Sequence, residues 1–77
     1  MQAYVLLNCD LGSEESTMQK LKDIDLVKEV RGTFGAFDIL AKLESSSSEE
    51  LNNIISTKIR HLDNIRSTTT LLTIEEQ

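Results

Sequence analysis

The chain has 77 residues, a formal net charge of -5 and a sequence pI of about 4.7: one small domain with an acidic balance. Its Lys and Arg residues are scattered rather than gathered in a patch, which excludes a phosphate-backbone surface and sets nucleic acid aside as a direct partner. The lone cysteine, Cys9, excludes an intramolecular disulfide, and no Cys/His cluster offers a structural metal. Association with copies of itself is then the remaining way to stabilise so small a core.

The opening "MQAYVLLNCD" carries no basic segment and only a short apolar run, so it predicts neither a leader nor a membrane span. With one thiol and no targeting signal, a reducing, cytoplasmic compartment is expected. Residues 3–8, "AYVLLN", are too few for a helix before Gly12 and predict a strand. Ala3, Val5, Leu7 and Cys9 share one of its sides and Tyr4 and Leu6 the other, which implies cover on both. Ser13 is placed to cap a short helix ending near Asp23, with Glu14 and Glu15 favoured by the dipole and Met18 and Leu21 pointing inward.

"LVKEVRGTF" (26–34) and "FDILAKLE" (37–44) are apolar, partly alternating runs separated by a glycine-bearing turn, and they predict a hairpin. Asp38 falls inside the second run. A carboxylate there either faces water across the strand or is placed to meet something. In "SSSSEELNNIISTKIRHL" (45–62), Leu51, Ile54, Ile55, Ile59 and Leu62 form the stripe of a helix with one buried face, and Ser47 with Glu50 has the spacing of a capping box. The serines therefore read as a loop and helix cap rather than a linker. "IRSTTTLLTI" (65–74), rich in β-branched residues, predicts the last strand.

The order strand, helix, strand, strand, helix, strand contains a trace of a repeat. "KLKDIDLVKEV" (20–30) aligns with "KIRHLDNIRST" (58–68), matching Lys20 with Lys58, Leu21 with Ile59, Asp25 with Asp63 and Val27 with Ile65. Two βαβ halves imply the α+β, ferredoxin-like βαββαβ plan, a four-stranded antiparallel sheet with both helices on one face. The other face, also supplied with apolar residues, is expected to pack on a second subunit.

The succession "VKEVRGTFGAFDILAKLE" and "LNNIISTKIRHLDNIRSTTTLLTI" resembles the effector-binding (RAM) domain of the Lrp/AsnC, or feast/famine, transcription regulators, over essentially the whole chain. The turn Gly35-Ala36-Phe37-Asp38 and the closing "RSTTTLL" carry the resemblance most specifically. Full-length members place a helix-turn-helix domain in front, whereas this chain begins at the first strand. Residues 1–77 are thus expected to be a stand-alone effector-binding and oligomerisation domain without a DNA-binding domain. Asp63-Asn64 stands where the family often has Pro-Gly, a turn-compatible exchange.

The resemblance implies dimers formed by apposed sheets, assembled into octameric or decameric rings, with amino acids or similar small effectors held in clefts between dimers. By position it assigns Thr33, Gly35 and Asp38 to one wall and Ser67, Thr68, Thr69 and Thr70 to the other. The chemistry agrees: a carboxylate such as Asp38 pairs with an ammonium, and glycine-exposed N–H groups and threonine hydroxyls receive a carboxylate. Each position also has a bland reading. Asp38 is a solvated residue closing the turn, Gly35 a backbone necessity, and the threonines good strand formers.

His61 at a helix end suits the dipole rather than catalysis, Cys9 is a small buried hydrophobe, and the acidic pairs Glu14-Glu15 and Glu49-Glu50 begin helices. The expected function is a non-catalytic regulatory module that binds a small metabolite, needs no cofactor, and acts through contact with another protein such as a full-length Lrp/AsnC-type regulator. A purely structural oligomerisation module is the alternative. A small enzyme of the ferredoxin-like αβ-dimer kind is the weaker one, since Tyr4, Phe34 and Phe37 are the only aromatics available to line a pocket.

Overall fold

The computed structural model describes residues 1–73 and contains a single antiparallel layer of strands covered on one side by helices. In chain order the elements are β1 (Gln2–Cys9), α1 (Glu14–Lys22), β2 (Val27–Gly32), β3 (Ile39–Glu44), α2 (Ser48–Ile54) and β4 (Ile65–Leu72). A π-helical turn over Ile55–Ile59 prolongs α2. The sheet order is β2-β3-β1-β4 with every neighbouring pair antiparallel, the ferredoxin-like arrangement implied by the repeat. Ile74, the last residue of the expected final strand, lies outside the described residues.

Strand alternation builds the core. Ala3, Val5, Leu7 and Cys9 of β1 and Ile39, Ala41 and Leu43 of β3 share one face, in register as Ala3–Leu43, Val5–Ala41 and Leu7–Ile39. Leu21 and Ile24 from the α1 side and Leu51, Ile55 and Ile59 from α2 and its π turn close over them. Leu21 and Ile59, matched in the repeat, are both fully buried. Met18, expected to point inward, is only partly buried at the edge of this cluster. Completely burying a Leu or Ile side chain contributes about 1.5–3 kcal/mol, so this small cluster is the main source of stability.

The two helix starts differ from their sequence expectation in opposite ways. Ser47 Oγ accepts from the Glu50 N–H at 3.2 Å, as a capping box requires, but the reciprocal bond runs through Ser45, whose hydroxyl bonds both the Ser47 N–H and the Glu50 carboxylate. Ser13 does not cap α1 with its side chain. Its hydroxyl donates to Asp10 O at 2.6 Å, a nearer acceptor in the tight turn, and Glu14 reaches back to the Gly12 N–H at 3.1 Å instead.

The other face of the sheet carries Tyr4, Leu6, Leu40 and Leu71 at its centre. Leu6 pairs with Leu40, and Tyr4 with Leu71. Around them lie polar contacts: Lys42–Glu44 at 3.7 Å, Arg31–Glu29 at 2.5 Å, Gln2 with Glu44 at 3.0 Å and Asn8 with Ser67 at 3.2 Å. No helix covers this face among the described residues, and no helix of those residues is long and apolar enough to cross a membrane.

Candidate functional site

Because neighbouring strands are antiparallel, β1 and β2 end where β3 and β4 begin, and the β1–α1, β2–β3 and α2–β4 connections gather at one end of the sheet. Asp38 sits among them, just before β3. Its backbone N–H donates to Leu7 O at 2.9 Å, and its carbonyl accepts from the Thr33 N–H at 2.9 Å, closing the hairpin. The Cys9 N–H lies past the last β1–β3 pair, where no strand carbonyl of β3 meets it. Asp38 Oδ2 accepts it at 3.0 Å. The carboxylate is half-buried, and among the described residues its Oδ1 accepts no hydrogen bond.

Asp38 lines two clefts. A polar cleft of about 420 Å³ is bounded by Asn8, Cys9, Asp38, Arg66 and Ser67. A second cleft, of about 400 Å³, lies between Asp38, Glu14, Met18, Gly32, Thr33 and Phe34. A third hollow of about 190 Å³, lined by Arg60, Ile65, Arg66, Ser67 and Thr68, adjoins the polar cleft and shares Arg66 and Ser67 with it. Arg66 and Asp38 thus present opposite charges to one open space without pairing directly, since the ion pairs among the described residues are Arg31–Glu29 and Lys42–Glu44.

The positions named from sequence are divided by this geometry. Asp38 and Ser67 border the polar cleft, Thr33 the cleft beside Phe34, and Thr68 the hollow with Arg60. Thr33 already donates its hydroxyl to Phe37 O at 2.7 Å. Gly35 has φ +110 with open space where a Cβ would stand, so the turn's backbone, not crowding, requires glycine. Thr69 pairs with Leu6 on the open face, while Thr68 and Thr70 pair with Leu7 and Val5 and so share the helix-covered face. The Thr70 hydroxyl is buried without a partner. Asn8, Cys9, Arg60 and Arg66 were not singled out as site residues from the sequence. The signal for Arg66 is its place at the head of the threonine strand, whereas Arg60 carries none.

Among the described residues no group of His, Cys, Asp and Glu side chains is placed to hold a metal ion. The polar cleft is lined by one carboxylate, one guanidinium, and the amide and hydroxyl side chains of Asn8 and Ser67, groups able to form charge-assisted hydrogen bonds.

Fold and site together define a small ligand-binding regulatory domain of the ferredoxin-like class. Residues 2–77 match the Lrp/AsnC ligand binding domain, and the chain belongs to that family. It is 34% identical over 61 residues to the regulatory protein AsnC of Haemophilus influenzae, covering 79% of this chain and 41% of that protein. It is 36% identical over 77 residues to homocitrate synthase of Saccharolobus solfataricus, covering 99% of this chain but 16% of that enzyme. The chain thus spans well under two thirds of the length of these relatives. Among solved structures, protein PHS023 of Pyrococcus horikoshii superposes with a TM-score of 0.90 at 32% identity, over 97% of this chain and 90% of that one. E. coli AsnC gives a TM-score of 0.89 at 26% identity, over 97% of this chain and 51% of that one.

Proposed function

We propose that the chain is a non-catalytic effector-binding and oligomerisation module, over residues 1–77, that binds a small metabolite, an amino acid, in the polar cleft beside Asp38 and passes the bound state to a protein partner in the cytoplasm. The observation that carries this reading is the pair Asp38 and Arg66 across one cleft in a chain of a ligand-binding family. An α-amino acid brings an ammonium for Asp38 Oδ1 and a carboxylate for the Arg66 guanidinium, and charge-assisted bonds of this kind are about twice as strong as neutral ones. In this reading a neighbouring subunit of the assembly completes the cleft. A thermal-shift screen against the amino acids tests the reading: an effector at about 100 times its Kd adds about 2.7 kcal/mol to the folded state. A screen in which no amino acid raises the melting temperature contradicts it.

The open face supports dimerisation sheet to sheet. Tyr4, Leu6, Leu40 and Leu71 form an apolar centre with a polar rim, the anatomy of a subunit interface. Such dimers then assemble into octamers or decamers through the end of the sheet that carries the clefts, where Leu11 and Phe34 stand fully exposed. Sedimentation at micromolar concentration is expected to show no folded particle of one 8.7 kDa chain, and a persistent monomer contradicts this.

The partner is a Lrp/AsnC-type transcription regulator whose effector domain this chain joins. A second reading is favoured by the 36% identity to homocitrate synthases over 77 residues: the module regulates a biosynthetic enzyme as a separate subunit. Co-purification with a tagged copy separates the two, according to whether a DNA-binding regulator or a metabolic enzyme is retained.

A further inference from the structure

The hollow beside the polar cleft is lined by Arg60 and Arg66, in a chain whose net charge is -5. Neither is in an ion pair among the described residues, whereas the other arginine, Arg31, is held by Glu29. Two guanidinium groups facing one small space repel each other unless an anion lies between them.

Each is aimed there by a separate break in regular structure. The Arg60 N–H donates to Ile55 O at 3.0 Å, the i to i+5 bond of the π turn, which rotates Arg60 away from where an α-helical continuation would place it. In β4 the register shifts: Asn8 pairs with Ser67 but Cys9 with Ile65, so Arg66 is the bulged residue, and a bulge re-aims the side chain it carries. Between them the chain turns through Asn64 at φ +71, whose carbonyl is tied to the Asp10 N–H at 2.8 Å. The hydroxyl-bearing residues Ser67 and Thr68 complete the lining.

We propose that Arg60 and Arg66, with Ser67 and Thr68, form an anion subsite continuous with the Asp38 cleft, so that the effector is an α-amino acid bearing a second carboxylate. This rests on the reading of the Asp38 cleft as the effector site. Arg66 borders both spaces and takes the α-carboxylate, Asp38 the ammonium, and Arg60 the carboxylate at the end of the side chain. One acidic and two basic groups then meet one ammonium and two carboxylates. A neutral amide in the same place leaves Arg60 facing a weaker acceptor.

Calorimetric titration of the assembled protein with L-aspartate, L-glutamate, L-asparagine, L-glutamine and O-phospho-L-serine tests the assignment. An acidic amino acid is expected to bind about 10-fold or more tightly than its amide. Arg60→Gln is expected to abolish that preference by weakening the acid about 10-fold or more and the amide less, because the charge-assisted bond is lost only with the acid. Arg60 is exposed, and an unchanged melting temperature of the free variant separates lost recognition from lost fold. Amides that bind as tightly as the acids, or a preference that survives Arg60→Gln, overturn the subsite and leave the Asp38 cleft standing. Tighter binding of O-phospho-L-serine than of either dicarboxylic amino acid overturns the carboxylate assignment in favour of a phosphate. No binding by any amino acid, or binding indifferent to Asp38→Asn, overturns the cleft reading and the subsite with it.

Discussion

The two βαβ halves of the molecule share a plan but not a degree of regularity. In the first, α1 is an unbroken helix and β2 departs from ideal pairing only at the bulge between Val27 and Glu29, far from the clefts. In the second, α2 passes into a π turn, Asn64 takes positive φ and β4 enters the sheet through a shifted register. The irregularities of the second half surround Arg60 and Arg66, and Asp38 stands at the head of its first strand. Regular elements bury side chains efficiently. Irregular ones place side chains where the helix and strand periods would not. Both halves therefore supply the core, while the irregular turns of the second half and Asp38 border the clefts in which recognition is proposed.

That division is tested first where the halves are expected to be equal. Leu21→Ala and Ile59→Ala remove matched, fully buried side chains, and each is expected to cost about 2–5 kcal/mol in urea unfolding at fixed protein concentration. A much smaller loss for Ile59→Ala would place the second helix outside the cooperative core. The next largest effect is at the seam between halves. Asp38→Ala leaves the part-buried Cys9 N–H without its acceptor and is expected to cost about 1–3 kcal/mol, whereas Asp38→Asn retains a carbonyl oxygen there and is expected to cost less than about 1 kcal/mol. Equal losses would mean that the charge, not the hydrogen bond, holds the seam.

The helix starts provide a smaller contrast. Ser47→Ala removes a formed cap and is expected to lower stability by about 0.5–2 kcal/mol. Ser13→Ala removes only a turn hydroxyl and is expected to fall within about 0.5 kcal/mol, as for an ordinary surface substitution. Unfolding curves of the two variants that shift alike would make the starts equivalent.

Most of the fold was legible in the sequence because both periods were clean. The alternation Ala3, Val5, Leu7, Cys9 and the stripe Leu51, Ile55, Ile59 each give one buried face. The π turn was not legible, since the residues of that stripe are apolar whether the chain closes i to i+4 or i to i+5 bonds. Ser13 was read as a cap from its residue type, but the competing carbonyl of Asp10 is a matter of turn geometry. Asp38 was legible as a residue with a purpose. Its bond to the Cys9 N–H was not, because it depends on how far β1 runs past its last pair with β3. The family resemblance grouped Ser67, Thr68, Thr69 and Thr70 on one wall, although the strand period sends them alternately to opposite faces. Arg60 and Arg66 look scattered along the chain and are brought together only by the turn between them.

The central claim is that Asp38 receives the ammonium of an amino-acid effector, and calorimetric titration of the wild type and Asp38→Asn with the amino acid that most raises the melting temperature tests it most directly. The variant keeps an acceptor for the Cys9 N–H, so its fold is expected to be preserved, and sedimentation checks its assembly. Its affinity is expected to fall by about 10- to 150-fold, the loss of one charge-assisted bond of roughly 1.5–3 kcal/mol. Equal affinities in two equally assembled proteins would contradict the claim and leave Asp38 a residue that only joins β3 to the end of β1.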